Sequence, residues 1–104
     1  MSRFNIIDLW NERYPGKTEV SDYAGRLIKK SACSNPNSSF HPTLDHIRPL
    51  SDGGEDIKEN IEICHRLTNE EKADRFPHWK ANGKRFHARK RKNCPNGYQI
   101  IKDN

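Results

Sequence analysis

Five polar residues in the middle of the chain have the types and the spacing that hydrolysis of a phosphodiester would use. Asp45 and His46 are adjacent, and Asn60, Asn69 and Lys72 follow His46 by 14, 23 and 26 residues. An imidazole such as that of His46 can take a proton from water near neutral pH. The carboxylate of Asp45 and the amide carbonyl of Asn69 are hard oxygen ligands that suit one Mg²⁺ with several retained waters. The set therefore predicts metal-assisted hydrolysis.

The residue types alone leave alternatives open. On a helix, Lys72 would share a face with Asn69, three residues before it, and could reach a phosphate. His65 competes with Asn69 for the helix-side metal position, because imidazole also binds divalent metals. From residue types alone, both residues remain candidates for that position. Other members of the set also have ordinary structural interpretations. The Asp45-His46 pair could form a surface turn, and Asn69 could be a residue in the first turn of a helix.

The segment that contains these residues resembles the HNH endonucleases, also called ββα-metal or His-Me finger nucleases. The likeness covers about residues 43–75 and is carried by the Asp-His pair, a Gly-Gly loop, and the later Asn, Asn and Lys, namely Asp45, His46, Gly53, Gly54, Asn60, Asn69 and Lys72. The spacing is similar to that of the HNH domain in RNA-guided CRISPR effector nucleases. Residues 22–26 are similar to a segment of small phage-borne HNH proteins.

The resemblance implies a role for each residue. It makes His46 the catalytic general base and Asn60 a catalytic residue whose amide holds the loop between two strands, so that His46 points at the phosphorus. It makes Asp45 and Asn69 the ligands of Mg²⁺, Mn²⁺ or another divalent ion that bridges the scissile phosphate and the 3′ oxygen. The implied function is a metal-dependent DNA endonuclease that nicks or cuts both strands. The alternative is a catalytically silent HNH-like module that binds nucleic acid or serves as an adaptor in a larger complex.

The charge distribution predicts an anionic partner. The chain has 19 Lys and Arg against 14 Asp and Glu, and residues 80–92 hold seven of the basic residues and no acid. Such a segment is expected to follow the phosphate backbone of double-stranded DNA, although a cationic strand that only keeps the protein soluble has the same composition. The predicted nucleic-acid-binding residues are Arg48, Lys72, Lys84, Arg85, Arg89, Lys90, Arg91 and Lys92, with Arg26 as an additional candidate.

A hairpin and a helix must position the central residues. The two strands of the hairpin are expected at residues 40–50 and 60–66. The alternating placement of Ile61 and Ile63 indicates the second strand. The helix is expected over residues 69–75, where Thr68 and Glu71 fit a capping box. The apolar residues expected to hold these elements together are Ile47, Leu50, Ile61, Ile63, Leu67 and Phe76.

Two further elements flank this core. Residues 3–13 predict a helix that packs Trp10 inward, and the chain from 84 to 102 predicts a second hairpin whose first strand carries the basic cluster. The predicted fold class is therefore α+β, with a ββα-metal core at residues 40–76, an N-terminal helix and a basic C-terminal hairpin in the extension at 80–104. We expect a single domain over residues 1–104.

Composition excludes other classes. Only 32% of the residues are hydrophobic, and no stretch approaches the ~20 apolar residues of a membrane span. No secretory signal is recognisable in the first ten residues, so a cytoplasmic protein is expected. The odd, widely spaced cysteines Cys33, Cys64 and Cys94 favour reduced thiols and exclude a structural Cys₄ zinc site. The expected partners are double-stranded DNA and a second copy of the chain or a larger nuclease or packaging complex, with no membrane.

Overall fold

The computed structural model describes residues 2–104 as an α+β arrangement of two α-helices and three small antiparallel sheets. The helices are α1 (Ile6–Arg13) and α2 (Arg66–Lys72). The strands are β1 (Glu19–Ser21), β2 (Leu27–Lys29), β3 (Pro42–His46), β4 (Ile61–His65), β5 (His78–Ala81), β6 (Lys84–Arg91) and β7 (Cys94–Lys102). Strands β1 and β2 pair, β3 and β4 pair, and β5, β6 and β7 form one sheet in that order. The predicted α+β class is confirmed.

Helix α1 forms the N-terminal side of the core, as predicted. The Asn5 side chain caps it by accepting hydrogen bonds from the amides of Ile7 and Asp8, which satisfies two donors that a helix start leaves free. Trp10 is fully buried, and its indole N–H donates to the carbonyl of Lys17 at 2.9 Å. The buried side of α1 packs against the β1–β2 and β3–β4 hairpins through the cluster Leu9, Trp10, Ile28, Ile61 and Ile63.

The predicted central hairpin is present, but the following helix starts earlier than expected. Strand β4 pairs with β3 so that His46 lies opposite Ile61, and Ile61 and Ile63 are buried. Helix α2 begins at Arg66 because the His65 side chain accepts a hydrogen bond from the amide of Leu67 at 3.0 Å and caps it. The predicted capping box at Thr68 is therefore wrong.

Three of the six expected core residues are fully buried. Ile47, Ile61 and Ile63 are at most 2% exposed, whereas Leu50 is 41% and Leu67 is 42% exposed. Phe76 is partly buried. The earlier start of α2 turns Leu67 outward, and the chain after β3 makes a short 3₁₀ turn that leaves Leu50 at the surface.

The C-terminal sheet has one strand more than predicted. Strand β5 pairs with β6 through the two-residue turn Asn82-Gly83, in which both residues have positive φ, 49° and 74°. This is the combination that a type I′ hairpin requires, and Asn-Gly is its commonest sequence. The predicted pairing of the basic strand with residues 98–102 is confirmed in β6 and β7. The turn expected at residues 93–97 is wrong, because β7 already begins at Cys94, which lies opposite Arg91.

The two faces of this sheet differ. We call the side of this sheet that carries Trp79, Phe86 and Tyr98 the inner face. These three side chains belong to a buried cluster that also contains Ile47. The outer face carries the side chains of opposite parity, because neighbouring residues of a strand point to opposite sides. Its members include His78, Lys80, Arg85, His87, Arg89 and Gln99.

No helix within residues 2–104 combines the length and the apolar character needed to cross a membrane.

Candidate active site

A pocket of about 300 Å³ at the end of β3 brings Asp45 and His46 together. Leu44, the loop at residues 49–51 and the chain at 73–74 after α2 complete its wall. Neighbours in a strand point to opposite faces, which would keep Asp45 and His46 apart in the middle of a wide sheet. Strand β3, however, belongs to a two-stranded sheet, so side chains from both faces can line a pocket along its unpaired edge.

The His46 imidazole is held by a carboxylate that the sequence did not indicate. His46 Nε2 lies 2.8 Å from Asp56 Oδ1, and the amide of Arg3 donates to Asp56 Oδ2 at 2.7 Å. The amide of Arg3 and the His46 side chain together hold the pKa of Asp56 at about 2. An ionised Asp56 favours the tautomer with the proton on Nε2. The Nδ1 nitrogen then remains as the acceptor, and it has no hydrogen-bond partner among residues 2–104.

Asp45 lies against a buried ammonium group. Lys72 is fully buried, and its Nζ is 3.3 Å from Asp45 Oδ2. Burial raises the pKa of Asp45 to about 6, and the positive charge of Lys72 opposes that rise. Asp45 Oδ2 is itself buried and accepts no hydrogen bond among the described residues. The carboxylate thus has charge compensation but no directed donor.

The burial of Lys72 corrects the prediction that it binds a phosphate. Its Nζ donates to the carbonyl of His46 at 3.2 Å and lies 5.1 Å from the centre of the Trp79 ring. Strand β5, which was not predicted, carries Trp79 over the ammonium group. Lys72 therefore fixes the end of β3 from within the fold and is not accessible from the surface.

Asn69 lies on α2 one turn before Lys72 and contacts the same side of β3 as Lys72 does. Its Nδ2 donates to Thr43 Oγ1 at 2.9 Å and to the carbonyl of Leu44 at 3.5 Å. Thr43 and Asp45 share a face of β3, so Asn69 and Lys72 make two successive contacts of α2 along that face. The Asn69 carbonyl oxygen Oδ1 accepts no hydrogen bond within residues 2–104.

Asp45 and Asn69 are the residues that could hold a divalent ion. Asp45 Oδ2 accepts no hydrogen bond from the described residues, but it is buried and lies 3.3 Å from Lys72 Nζ, and Asn69 is not among the residues that line the pocket. In the described part of the chain no three His, Cys, Asp or Glu side chains converge on one metal position. Most ligands of a divalent ion would therefore be waters and substrate oxygens, which is the mixture Mg²⁺ prefers. Both side-chain oxygens are of the hard type that Mg²⁺ binds, and Lys72 competes for the one on Asp45.

Asn60 closes the loop between the two strands, as predicted. It is fully buried. Its Oδ1 accepts from the amide of Arg48 at 2.9 Å, and its Nδ2 donates to the carbonyls of Arg48 and Glu55 at 3.1 and 2.8 Å. One side chain thus satisfies backbone groups at both ends of the loop, which fixes the chain directly after His46.

The Gly-Gly pair makes this loop tight. Gly53 has a φ of +87°, and a Cβ on Gly54 would lie 1.8 Å from the carbonyl oxygen of Arg48. The amide of Gly54 donates to the carbonyl of Pro49 at 2.9 Å. No side chain fits at Gly54 without moving the backbone that Asn60 holds, so the two features support one loop conformation.

His65 and Arg26 have structural contacts rather than the roles considered for them. His65 Nε2 lies 2.7 Å from the carbonyl of Ser39 and its Nδ1 caps α2, so neither ring nitrogen is available to a metal. Arg26 Nη1 bonds Thr68 Oγ1 at 3.1 Å and pairs with Glu71. The Arg26 guanidinium therefore ties the turn between β1 and β2 to α2.

The other predicted nucleic-acid-binding residues differ in how free they are. Lys84 Nζ donates to the carbonyl of Ala24 at 2.7 Å, and Arg48 Nε donates to the carbonyl of Asp52 at 2.9 Å. The remaining members of the set are exposed: Arg85, Arg89, Lys90, Arg91 and Lys92.

The sequence did not indicate two acidic residues of this region, of which only Asp74 lines the pocket. Asp56 holds His46, and Asp74 lines the pocket directly after α2. The only signal for Asp56 was its position at the end of the acidic, glycine-containing loop 51–56. Asp74 lies five residues after Asn69, and no periodicity marks it.

No protein-family model, no curated protein and no solved structure matches this chain. The resemblance to HNH endonucleases therefore rests on the residues of the central segment, and the function is argued from their geometry.

Proposed function

We propose that this chain is a metal-dependent DNA endonuclease of the HNH type, with β3, β4 and α2 as its ββα-metal core. The reaction is hydrolysis of a phosphodiester bond. The observation that supports it most is the pocket at the end of β3, where Asp45 and His46 lie together and Asp56 holds the imidazole. A base with one free nitrogen beside a carboxylate is the minimum that such a reaction needs from the protein.

In this mechanism His46 acts through Nδ1, the ring nitrogen that has no hydrogen-bond partner within residues 2–104. A phosphate enters the pocket, and His46 Nδ1 takes the proton of the attacking water. Asp56 holds Nε2 and stabilises the imidazolium that forms. Asp45 and Asn69 would bind Mg²⁺, Mn²⁺ or another divalent ion, which supplies positive charge against the phosphoryl oxygens and the leaving oxygen.

Asn60 and Lys72 act as positioning residues. Asn60 fixes the loop that begins two residues after His46. Lys72 holds the His46 carbonyl and lies beside Asp45. Neither needs to touch the substrate: Lys72 contacts His46 and Asp45 directly, and Asn60 acts through the backbone of Arg48, two residues after His46.

The test is conversion of supercoiled plasmid DNA by the purified protein with Mg²⁺ or Mn²⁺. We expect nicked or linear product, no product in EDTA, and no product from His46→Ala, which should still bind DNA. Absence of cleavage by the wild-type protein with either ion would contradict the proposal.

The Asp56 contact has its own test. Asp56→Ala removes the acceptor from His46 Nε2, so cleavage should slow while DNA binding stays unchanged. Asp56→Asn keeps an oxygen that accepts from Nε2 and should cleave faster than Asp56→Ala. Equal rates for the two variants would show that the contact does not position the imidazole.

One observation favours the alternative of a binding module that does not cleave. Asp45 is already paired with the buried ammonium of Lys72, and a divalent ion has to bind beside that charge. Plasmid binding without cleavage in Mg²⁺ and Mn²⁺, equal in wild type and Asp45→Asn, would support this alternative.

A further inference from the structure

Strand alternation divides the basic segment 80–92 between the two faces of the β5–β7 sheet. Phe86 lies on the inner face within the buried cluster. Arg85 and Arg89 have the opposite parity on β6 and therefore point outward. Lys80 of β5 lies directly opposite Arg85 in the register. These three cations share the outer face, whereas Lys84 belongs to the inner parity and is bound to the carbonyl of Ala24.

The outer-face cations have no acidic partner within residues 2–104. None of Lys80, Arg85 and Arg89 takes part in an ion pair. One carboxylate of the described chain, that of Asp103, lines the same depression as Lys80 and Arg85 and is bonded to His87 at 2.6 Å. Positive charges therefore outnumber negative ones on this face, and such an excess attracts a polyanion.

The arrangement of these cations suits a phosphate backbone. Arg85 and Arg89 are four residues apart on one strand, which separates them by about 13 Å, and Lys80 is one strand, about 5 Å, from Arg85. The row continues into a depression of about 600 Å³ lined by residues 89–94 and Gln99. Because Arg85 and Arg89 lie about 13 Å apart on one strand, the three cations are spread too widely to surround one compact anion and can instead contact several phosphates of one backbone.

The sheet separates this face from the pocket of His46. On its inner side the Trp79 ring covers Lys72 Nζ, which in turn lies 3.3 Å from Asp45 Oδ2. The molecule measures 32 × 29 × 23 Å. DNA is stiff over about 150 bp, so a duplex seated in the pocket would have to bend sharply round the protein to reach the outer face.

We propose that the outer face of the β5–β7 sheet is a second DNA-binding surface, which holds by its phosphates a duplex segment other than the one in the pocket. The choice of DNA as the polyanion rests on the proposed function. One chain then holds two duplex segments at once, one for cleavage and one bound by Lys80, Arg85 and Arg89.

The test counts bound duplexes. A fluorescent duplex of about one helical turn is titrated into the full-length chain in EDTA, where cleavage does not occur. The variant Arg85→Gln with Arg89→Gln removes two outer-face charges. The matched control, Lys17→Gln with Lys30→Gln, removes the same charge from side chains that make no ion pair within the described chain.

Saturation at two duplexes per chain is expected for wild type and for the Lys17/Lys30 control, and at one for the Arg85/Arg89 variant. One duplex per chain in wild type, or two in the Arg85/Arg89 variant, would overturn the proposal. So would an equal loss in both variants, because binding would then follow net charge alone. Cleavage of the same duplex in Mg²⁺ is measured separately, so a failure of the nuclease proposal is distinguishable from a failure of this one.

Discussion

The central hairpin with α2 and the outer face of the β5–β7 sheet use their polar residues in opposite ways. Around β3 the polar side chains are bound to one another or to the backbone: Lys72 lies at Asp45, Asp56 bonds His46, and Asn60 closes the loop. On the outer face Arg85 and Lys80 have no partner of opposite charge among residues 2–104. The first region uses its polar groups to fix a geometry inside the fold, whereas the cations of the second are exposed and form no ion pair within the described chain.

This difference predicts a gradient of stability effects. A buried polar group that loses its partner keeps the full cost of its desolvation. An exposed cation without a partner loses nothing inside the fold when it is replaced. Substitutions should therefore be most costly at Lys72, smaller at Asn60 and smallest on the outer face.

The largest effect is expected for Lys72→Met. The substitution leaves the buried Asp45 carboxylate without its ammonium partner, which typically costs about 3–5 kcal/mol. Urea unfolding followed by tryptophan fluorescence measures the loss. The double variant Lys72→Met with Asp45→Asn removes both charges and should be more stable than Lys72→Met alone. If the single variant is as stable as wild type, the pair does not compensate a buried charge.

A smaller effect is expected for Asn60→Ala. The variant removes the partners of the Arg48 amide and of two carbonyls at the ends of the loop. Each such group costs about 1–3 kcal/mol when it stays buried and unsatisfied, but residues 51–53 and 55 of this loop are exposed, so water can replace part of the lost partners and the total should stay below that of Lys72→Met. The same unfolding measurement applies. Asn60→Asp keeps the acceptor for the Arg48 amide but loses the donors, so it should not restore full stability. A stability equal to wild type in Asn60→Ala would remove the structural basis for its role.

The smallest stability effect is expected for Arg85→Gln with Arg89→Gln. Substitutions away from buried networks usually change the free energy of unfolding by less than about 0.5 kcal/mol. For DNA binding, the slope of log K against log salt is negative, and the same variant should make it shallower by about 2. Each missing cation leaves one phosphate with its counterions. A large loss of stability with an unchanged salt slope would reverse the comparison between the two regions.

The parts of the fold that short-range patterns specify were predicted from the sequence. The period-two residues Ile61 and Ile63 indicated β4, and the apolar spacing around Trp10 indicated α1. The resemblance also predicted the Asn60 contacts. They could be predicted because they involve only the loop between two consecutive strands and few other elements.

What was missed depends on contacts between distant segments. Strand β5 is only four residues long and follows Pro77, so periodicity did not reveal it, although Asn82-Gly83 is a turn signal. Without β5 there was no Trp79 to cover Lys72, and a buried lysine was therefore expected at the surface. Asp56 was missed for a similar reason, since its contact with His46 bridges a loop whose shape depends on Asn60 and Gly54.

The most direct test of the proposed base is chemical rescue of His46→Ala. Plasmid cleavage in Mg²⁺ is measured with and without added imidazole, because the pocket of about 300 Å³ should admit the free base once the side chain is gone. We predict no cleavage by the variant alone and partial recovery with imidazole. Cleavage by unsupplemented His46→Ala at the wild-type rate would contradict the assignment of His46 as the base.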